Sequence, residues 1–140
     1  MTSMEEINGW LQNEKHFVGC YAKEALPPFP SSFPKSMIIK CDNHFVGIVL
    51  QRKQCFYFDS YGEKIIDQEL INYLSPHYVF VIFSSNVIQD ESSKNCGKFC
   101  ALFVHLVFNK KKYKQFINLF NLHFKLLNDV VVDALFKKYT

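Results

Sequence analysis

Apolar residues occur along this chain in short runs separated by polar turns, a pattern typical of a small domain built from both strands and helices. Runs rich in β-branched and aromatic residues predict strands, whereas apolar residues spaced three or four positions apart predict helices. The predicted strands cover residues 16–21, 37–41, 44–50, 55–59 and 78–83, and the predicted helices cover residues 3–13, 22–26 (a single turn), 67–74, 96–108, 113–127 and 129–138.

The predicted helix at 96–108 is apolar on nearly all sides, which indicates a buried helix rather than a surface one. The simplest architecture for these elements is α+β, with a small, mostly antiparallel sheet packed on this central helix. The chain has 140 residues without repeats or linkers, so a single domain over residues 1–140 is predicted.

Composition narrows the class of protein further. Apolar residues make up 49% of the chain and aromatic residues 16%, which excludes a disordered chain. The five cysteines have neither a zinc-like nor a disulfide-framework spacing, so we expect free thiols in a reducing compartment and no metal. The apolar runs are too short to span a bilayer, and the acidic pair Glu5 and Glu6 argues against a signal peptide. We therefore expect no membrane partner and no secretion.

The most informative segment is 89–105, in which a Cys-Gly pair opens the apolar helix. Only a thiolate attacks a carbonyl, and the unpaired N–H groups at a helix N-terminus favour an anion there. An imidazole takes the proton, a carboxylate orients the imidazole, and a side-chain amide donates to the oxyanion. The residues predicted to act as nucleophile, base, orienting acid and oxyanion-hole donor are Cys96, His44, Asp59 and Gln89, in that order.

The sequence also predicts that His44 and Asp59 share one face of a β-hairpin. Their strands flank an obvious turn at residues 51–54. If the loop has an even number of residues, two residues on the same face of the hairpin have position numbers that add up to an odd number. Positions 44 and 59 add up to 103, so His44 and Asp59 would share a face. Their Cβ atoms would then lie roughly 4.5–8 Å apart, opposite or diagonal. A three-residue loop with a bulge would remove this relation.

Each of these residues has a simpler interpretation. A buried cysteine on an apolar helix is most often inert packing, and we expect this for Cys100. Asp59 could initiate a turn, and His44 could be an exposed histidine at the end of a strand. Cys96 differs from the other cysteines because it precedes Gly97 at the predicted helix start, where backbone N–H groups are free.

With these residues in place, the chain resembles the adenovirus protease (adenain) family of cysteine endopeptidases, which shares a clan with the ubiquitin-like-protein-specific proteases. The resemblance covers about residues 17 to 108, and the segment 58–62 (FDSYG) is most similar to the proteases of Maverick/Polinton transposons and related DNA viruses. The blocks that carry it are 17–27 (FVGCYAKEALP), 42–46 (DNHFV), 57–62 (YFDSYG), and Gln89 with 96–100 (CGKFC).

The resemblance implies a papain-like cysteine protease superfold and an endopeptidase that cleaves viral or transposon capsid and core precursors during particle maturation. It implies catalytic His44, Asp59 and Cys96, with Phe45 and Gly97 contacting a substrate that has small residues before the scissile bond. No cofactor is required for the chemistry, although an activating peptide or DNA could stimulate it. The expected location is the virion or the host nucleus or cytoplasm. The chain departs from the family pattern in having Phe45 where tryptophan is usual.

Lysines cluster late in the chain, although the net charge is only +3. The cluster could bind DNA through its phosphates. Alternatively it could be a solvated helix end, because cations are favoured in the last turn of a helix. Two other functions stay open, namely removal of ubiquitin or a ubiquitin-like modifier and a non-catalytic module that binds DNA or protein. The lysines concerned are Lys110, Lys111, Lys112 and Lys114.

Overall fold

The structure, a computed structural model, describes residues 2–139 and has an α+β fold. Met1 and Thr140, the ends of the predicted domain, lie outside the described residues. Helices and strands follow one another in the order α1 (Met4–Trp10), β1 (Phe17–Ala22), β2 (Lys35–Cys41), β3 (His44–Leu50), β4 (Cys55–Phe58), α2 (Gln68–Leu74), β5 (Ile82–Phe83), α3 (Cys96–Leu106), α4 (Lys110–Ile117) and α5 (Leu126–Tyr139).

The strands form one mixed sheet in the order β1-β2-β3-β4-β5. The prediction of a mostly antiparallel sheet is confirmed only in part, because β1 pairs with β2, and β4 with β5, in parallel. The two central pairings, β2 with β3 and β3 with β4, are antiparallel. Parallel neighbours need a crossover of about a dozen residues or more. The proline-rich loop 23–34 and the segment 59–81, which contains α2, provide these two crossovers.

Strand β3 is buried on both faces, so it reads as a continuous apolar run. Phe45 and Val49 point to the face that is covered by α3, together with α1, α4 and α5. Val46 and Ile48 point to the opposite face, which packs against α2 and the proline-rich loop. Helix α3 therefore lies directly on the strand that begins with His44.

Several predicted boundaries need correction. The single helix predicted at 113–127 is two elements, because α4 ends at Ile117 and α5 begins at Leu126. The side chain of Asn128, in the first turn of α5, accepts a hydrogen bond from the N–H of Asn121 in the intervening segment and donates one to the Asn121 carbonyl. Such side chains compete with the helical hydrogen bonds of the backbone. The strand predicted at 78–83 forms only at Ile82–Phe83, and in place of the predicted helical turn at 22–26, β1 continues to Ala22 and residues 23–25 form a turn.

Candidate active site

His44 and Asp59 meet on one face of the β3–β4 hairpin, as the parity of their positions predicts. Leu50 pairs with Cys55 across the hairpin, so residues 51–54 form a four-residue loop. This even loop keeps the two residues on the same side of the sheet, in diagonal positions. The Nε2 atom of His44 lies 2.7 Å from Oδ1 of Asp59. The predicted contact between them is therefore present.

Asp59 is fixed in this orientation by the turn that follows β4. Its Oδ1 atom also accepts the backbone N–H of Tyr61 at 2.8 Å, and the residue is only 7% exposed. An ionised carboxylate only accepts hydrogen bonds, so Nε2 of His44 donates and Nδ1 is the nitrogen left for another partner. The ring of Tyr61 lies 4.9 Å from the imidazole, measured between centroids, and limits its movement.

Cys96 is the first residue of α3, directly after the N-cap residue Asn95. Burial by itself would raise the pKa of this thiol. A hydrogen bond from the His44 side chain outweighs that effect, together with backbone hydrogen bonds from Phe45 and Gly97, and the pKa of Cys96 falls below its ordinary value. These donors come from two elements, the start of β3 and the first turn of α3. Packing of α3 on β3 therefore creates the environment that favours a thiolate.

His44 shows the complementary shift. Burial would lower its pKa, but the hydrogen bond to Asp59, the hydrogen bond to Cys96 and the negative charges of both raise it to about 9. A lowered thiol pKa beside a raised imidazole pKa favours the thiolate–imidazolium pair at neutral pH. Such opposed shifts at one pair of groups are typical of nucleophilic sites.

The other cysteines lie in environments that keep their thiols protonated. Burial raises the pKa of Cys20 and of Cys55 to about 12. Burial also raises the pKa of Cys41 and that of Cys100, whose thiol is fully buried one turn after Cys96 and donates to the Phe45 carbonyl. All five cysteines are free thiols. Cys96 alone among them has a lowered pKa.

Gln89 lies in the loop before α3 and is 1% exposed. Its Oε1 atom accepts a hydrogen bond from the Ser60 hydroxyl, and its Nε2 atom donates to the Ser93 carbonyl at 3.1 Å. Gln89 also lines the cavity that contains Cys96 and His44. The side-chain amide is therefore fixed in the wall of the cavity that Cys96 and His44 also line.

The cavity at this site has a volume of about 450 Å³ and is open to solvent. The contribution of Asn43, Ser93 and Lys94 to its wall was not predicted from the sequence, because polar residues in loops carry no periodic signal. Neither Phe45 nor Gly97, the predicted substrate-contacting residues, is among the lining residues. The described residues that line the cavity are Cys41, Asp42, Asn43, His44, Tyr61, Gln89, Ser93, Lys94 and Cys96.

Phe45 and Gly97 lie instead beside the site. The side chain of Phe45 is fully buried in the core that packs against α3, and its backbone reaches Cys96 and Cys100. Gly97 faces Thr2, and a Cβ atom added to Gly97 would lie 2.9 Å from Cγ2 of that threonine. The N-terminal segment therefore occupies the space that the missing side chain of Gly97 leaves open.

The four lysines of the cluster are all exposed. Lys110, Lys111 and Lys112 open α4, so they lie at the end of the helix where its dipole disfavours cations. Of the four lysines, only Lys114 lies in the last turn of α4, where a positive charge stabilises the helix. Lys110, Lys111 and Lys114 line one shallow concavity, whereas the ammonium of Lys112 lies 5.9 Å from the centre of the Phe108 ring.

Neither a protein-family model nor a characterised protein matches the sequence. Over residues 2–139, no group of three or more His, Cys, Asp and Glu side chains is arranged to hold a metal ion. The same described residues contain no helix that is long and apolar enough to cross a membrane.

Proposed function

We propose that the protein is a cysteine endopeptidase of the adenain type with a papain-like fold. The observation that supports this most directly is that His44, hydrogen-bonded to Asp59 at 2.7 Å, lines one cavity with Cys96, where the pKa of the thiol is lowered and that of the imidazole is raised. Together with Gln89 in the same cavity, these residues supply the four groups that acyl transfer to a thiol requires.

In this mechanism the Cys96 thiolate attacks the carbonyl carbon of the scissile peptide bond. The negative charge that develops on the carbonyl oxygen is stabilised by Nε2 of Gln89 and by the backbone N–H of Cys96, which has no partner within its helix. His44 then donates its proton to the leaving amine and later removes one from the water that hydrolyses the thioester. Asp59 holds the imidazole in the required tautomer throughout.

The proposed substrates are capsid and core precursor proteins of a virus or transposon, processed within the particle or in the host nucleus or cytoplasm. The resemblance of the blocks around His44, Asp59 and Cys96 supports this substrate class. The reduced cysteines fit these compartments. Removal of ubiquitin or a ubiquitin-like modifier uses the same chemistry, and a ubiquitin-tail probe separates the two. Strong labelling of Cys96 would favour deconjugation.

A decisive test of the chemistry is the pH-dependence of iodoacetamide alkylation, mapped by mass spectrometry. In the wild type, Cys96 is expected to react rapidly near pH 6, whereas Cys100 in the same molecule reacts slowly and serves as the internal control. In His44→Ala the rapid reaction at low pH is expected to disappear, because burial of the thiol is then no longer offset by the imidazole. Equal rates for the two cysteines at every pH would refute the proposal.

DNA is a second proposed partner, and the exposed lysines on α4 favour it. None of the four forms an ion pair with another described residue, so their charges are available to phosphates. Replacement of Lys110, Lys111 and Lys114 by glutamine should weaken binding to duplex DNA and reduce its salt dependence. The same experiment on Cys96→Ala shows whether binding is independent of the thiol, as a non-catalytic module would require.

A further inference from the structure

The turn after β4 connects the two halves of the candidate site. Asp59 begins this turn and bonds to His44, and Ser60, the next residue, contacts Gln89. Ser60 is completely buried, as is nearly all of Gln89. One dipeptide therefore holds the residue that orients the imidazole and the residue that contacts the oxyanion donor.

Ser60 binds Gln89 at both its backbone and its side chain. The Ser60 carbonyl accepts the backbone N–H groups of Ile88 and Gln89 at 2.9 and 3.1 Å. The Ser60 hydroxyl donates to Oε1 of Gln89. On the other side, Nε2 of Gln89 donates to the carbonyl of Ser93, which can only accept.

These contacts select one of the two orientations of the Gln89 amide. In the observed orientation, the oxygen faces a hydroxyl and the nitrogen faces a carbonyl, so both atoms are paired. A half-turn of the amide would place its oxygen against the Ser93 carbonyl, and two acceptors would then face each other. Among the described residues only Ser93 accepts from Nε2, so the second hydrogen on this nitrogen is left for the cavity.

We propose that Ser60 is a positioning residue, which fixes the amide of Gln89 with its nitrogen directed to the oxyanion of the substrate. This inference rests on the proposed protease function and extends it. Ser60 does not contact the reacting atoms, so its effect should pass entirely through Gln89. Because the Ser60 carbonyl contacts are made by the backbone, a Ser60→Ala variant keeps the loop anchored and loses only the hydroxyl.

The test compares Ser60→Ala, Gln89→Ala and the double variant in two reactions of the same thiol. The first is turnover of N-acetylglycine p-nitrophenyl ester, whose acylation passes through an oxyanion. The second is alkylation by iodoacetamide, a displacement at a saturated carbon that forms no oxyanion. Ser60→Ala is expected to lower kcat for the ester about tenfold to hundredfold, with KM unchanged, which is less than the roughly hundredfold to thousandfold loss when an oxyanion donor is removed outright. The rate of Cys96 alkylation should stay within about twofold of the wild-type rate, and its pH midpoint should not move, since no oxyanion forms in that step.

The double variant distinguishes positioning from an independent effect. If Ser60 acts through Gln89, the double variant should be no slower than Gln89→Ala alone. The inference would be overturned if the losses of the two single variants multiplied in the double variant, if Ser60→Ala kept full ester activity, or if Ser60→Ala lost alkylation as much as ester turnover. In each of these cases the wild type would still act as a thiol enzyme. Should Ser60→Ala unfold, Ser60→Cys retains a weaker donor, and its kcat should lie below that of the wild type. A wild type inert in both reactions would overturn the proposed function as well.

Discussion

Close contact between α3 and β3 requires a residue without a side chain at position 47. A Cβ atom added to Gly47 would lie 2.6 Å from Cδ2 and 3.0 Å from Cε2 of Phe103, whereas carbon atoms in contact lie about 3.5–4.0 Å apart. Phe103 has little room to retreat, because it is fully buried and its ring packs against Phe58 at 5.1 Å and Tyr113 at 5.7 Å. Gly47→Ala must therefore push the helix away from the strand.

Overpacking of this kind costs about 1–3 kcal/mol of unfolding free energy. For a domain of this size each kcal/mol corresponds to roughly 4 °C in melting temperature, so we expect Gly47→Ala to melt about 4–12 °C below the wild type. Gly47 shares β3 with His44, and Phe103 shares α3 with Cys96. The same displacement should therefore slow alkylation of Cys96 at pH 6 in the folded variant.

Gly9→Ala is the matched control. Gly9 lies in α1, is exposed, and has no atom within 4 Å of an added Cβ. Alanine is the better helix former by about 1 kcal/mol, so this variant should melt above the wild type. Thermal unfolding followed by circular dichroism measures both variants. A Gly47→Ala protein that melts at or above the wild-type temperature would contradict the packing of α3 on β3.

Two further predictions concern the charges of the site. Because the active pair is thiolate and imidazolium, cleavage of a peptide substrate, whose leaving amine needs the proton of His44, should slow as the pH rises through about 9 and should also slow below the lowered pKa of Cys96. A rate that stays constant beyond pH 10 would exclude His44 as the proton donor. In Asp59→Asn the pKa of His44 should drop below about 9, because the partner keeps its hydrogen bond but loses its charge. An NMR titration of the ring measures this shift, with Asp90→Asn, in an exposed loop turn, as the unchanged control.

The hairpin and the first residue of α3 were predictable because local rules determine them. Period-two alternation and an even loop place His44 beside Asp59, and the Cys-Gly pair marks the start of the apolar helix. The capping box of Ser3 and Glu6 likewise identifies the start of α1. Each of these signals involves residues within one element or one hairpin.

The features that the sequence did not reveal depend on contacts between distant residues. The parallel pairing of β4 with β5 involves only two residues in each strand, too few for a pattern to show. The break between α4 and α5 depends on Asn128, which also donates to the Ile88 carbonyl from 40 positions away. Ser60 and Gln89 are 29 positions apart, and no spacing rule connects a serine in a turn with an amide in a later loop.

The division of the site between one hairpin and one helix has a consequence for the order in which the protein folds. His44 and Asp59 are only 15 positions apart, so their contact can form as soon as the hairpin closes. Cys96 gains its hydrogen bonds from His44 and Phe45 only when α3 packs on β3, a long-range contact that we expect to form later than the hairpin. The reactivity of the Cys96 thiol therefore reports when α3 packs on β3 during folding. In a refolding experiment sampled with short pulses of alkylating agent, rapid labelling of Cys96 should lag behind the appearance of β structure.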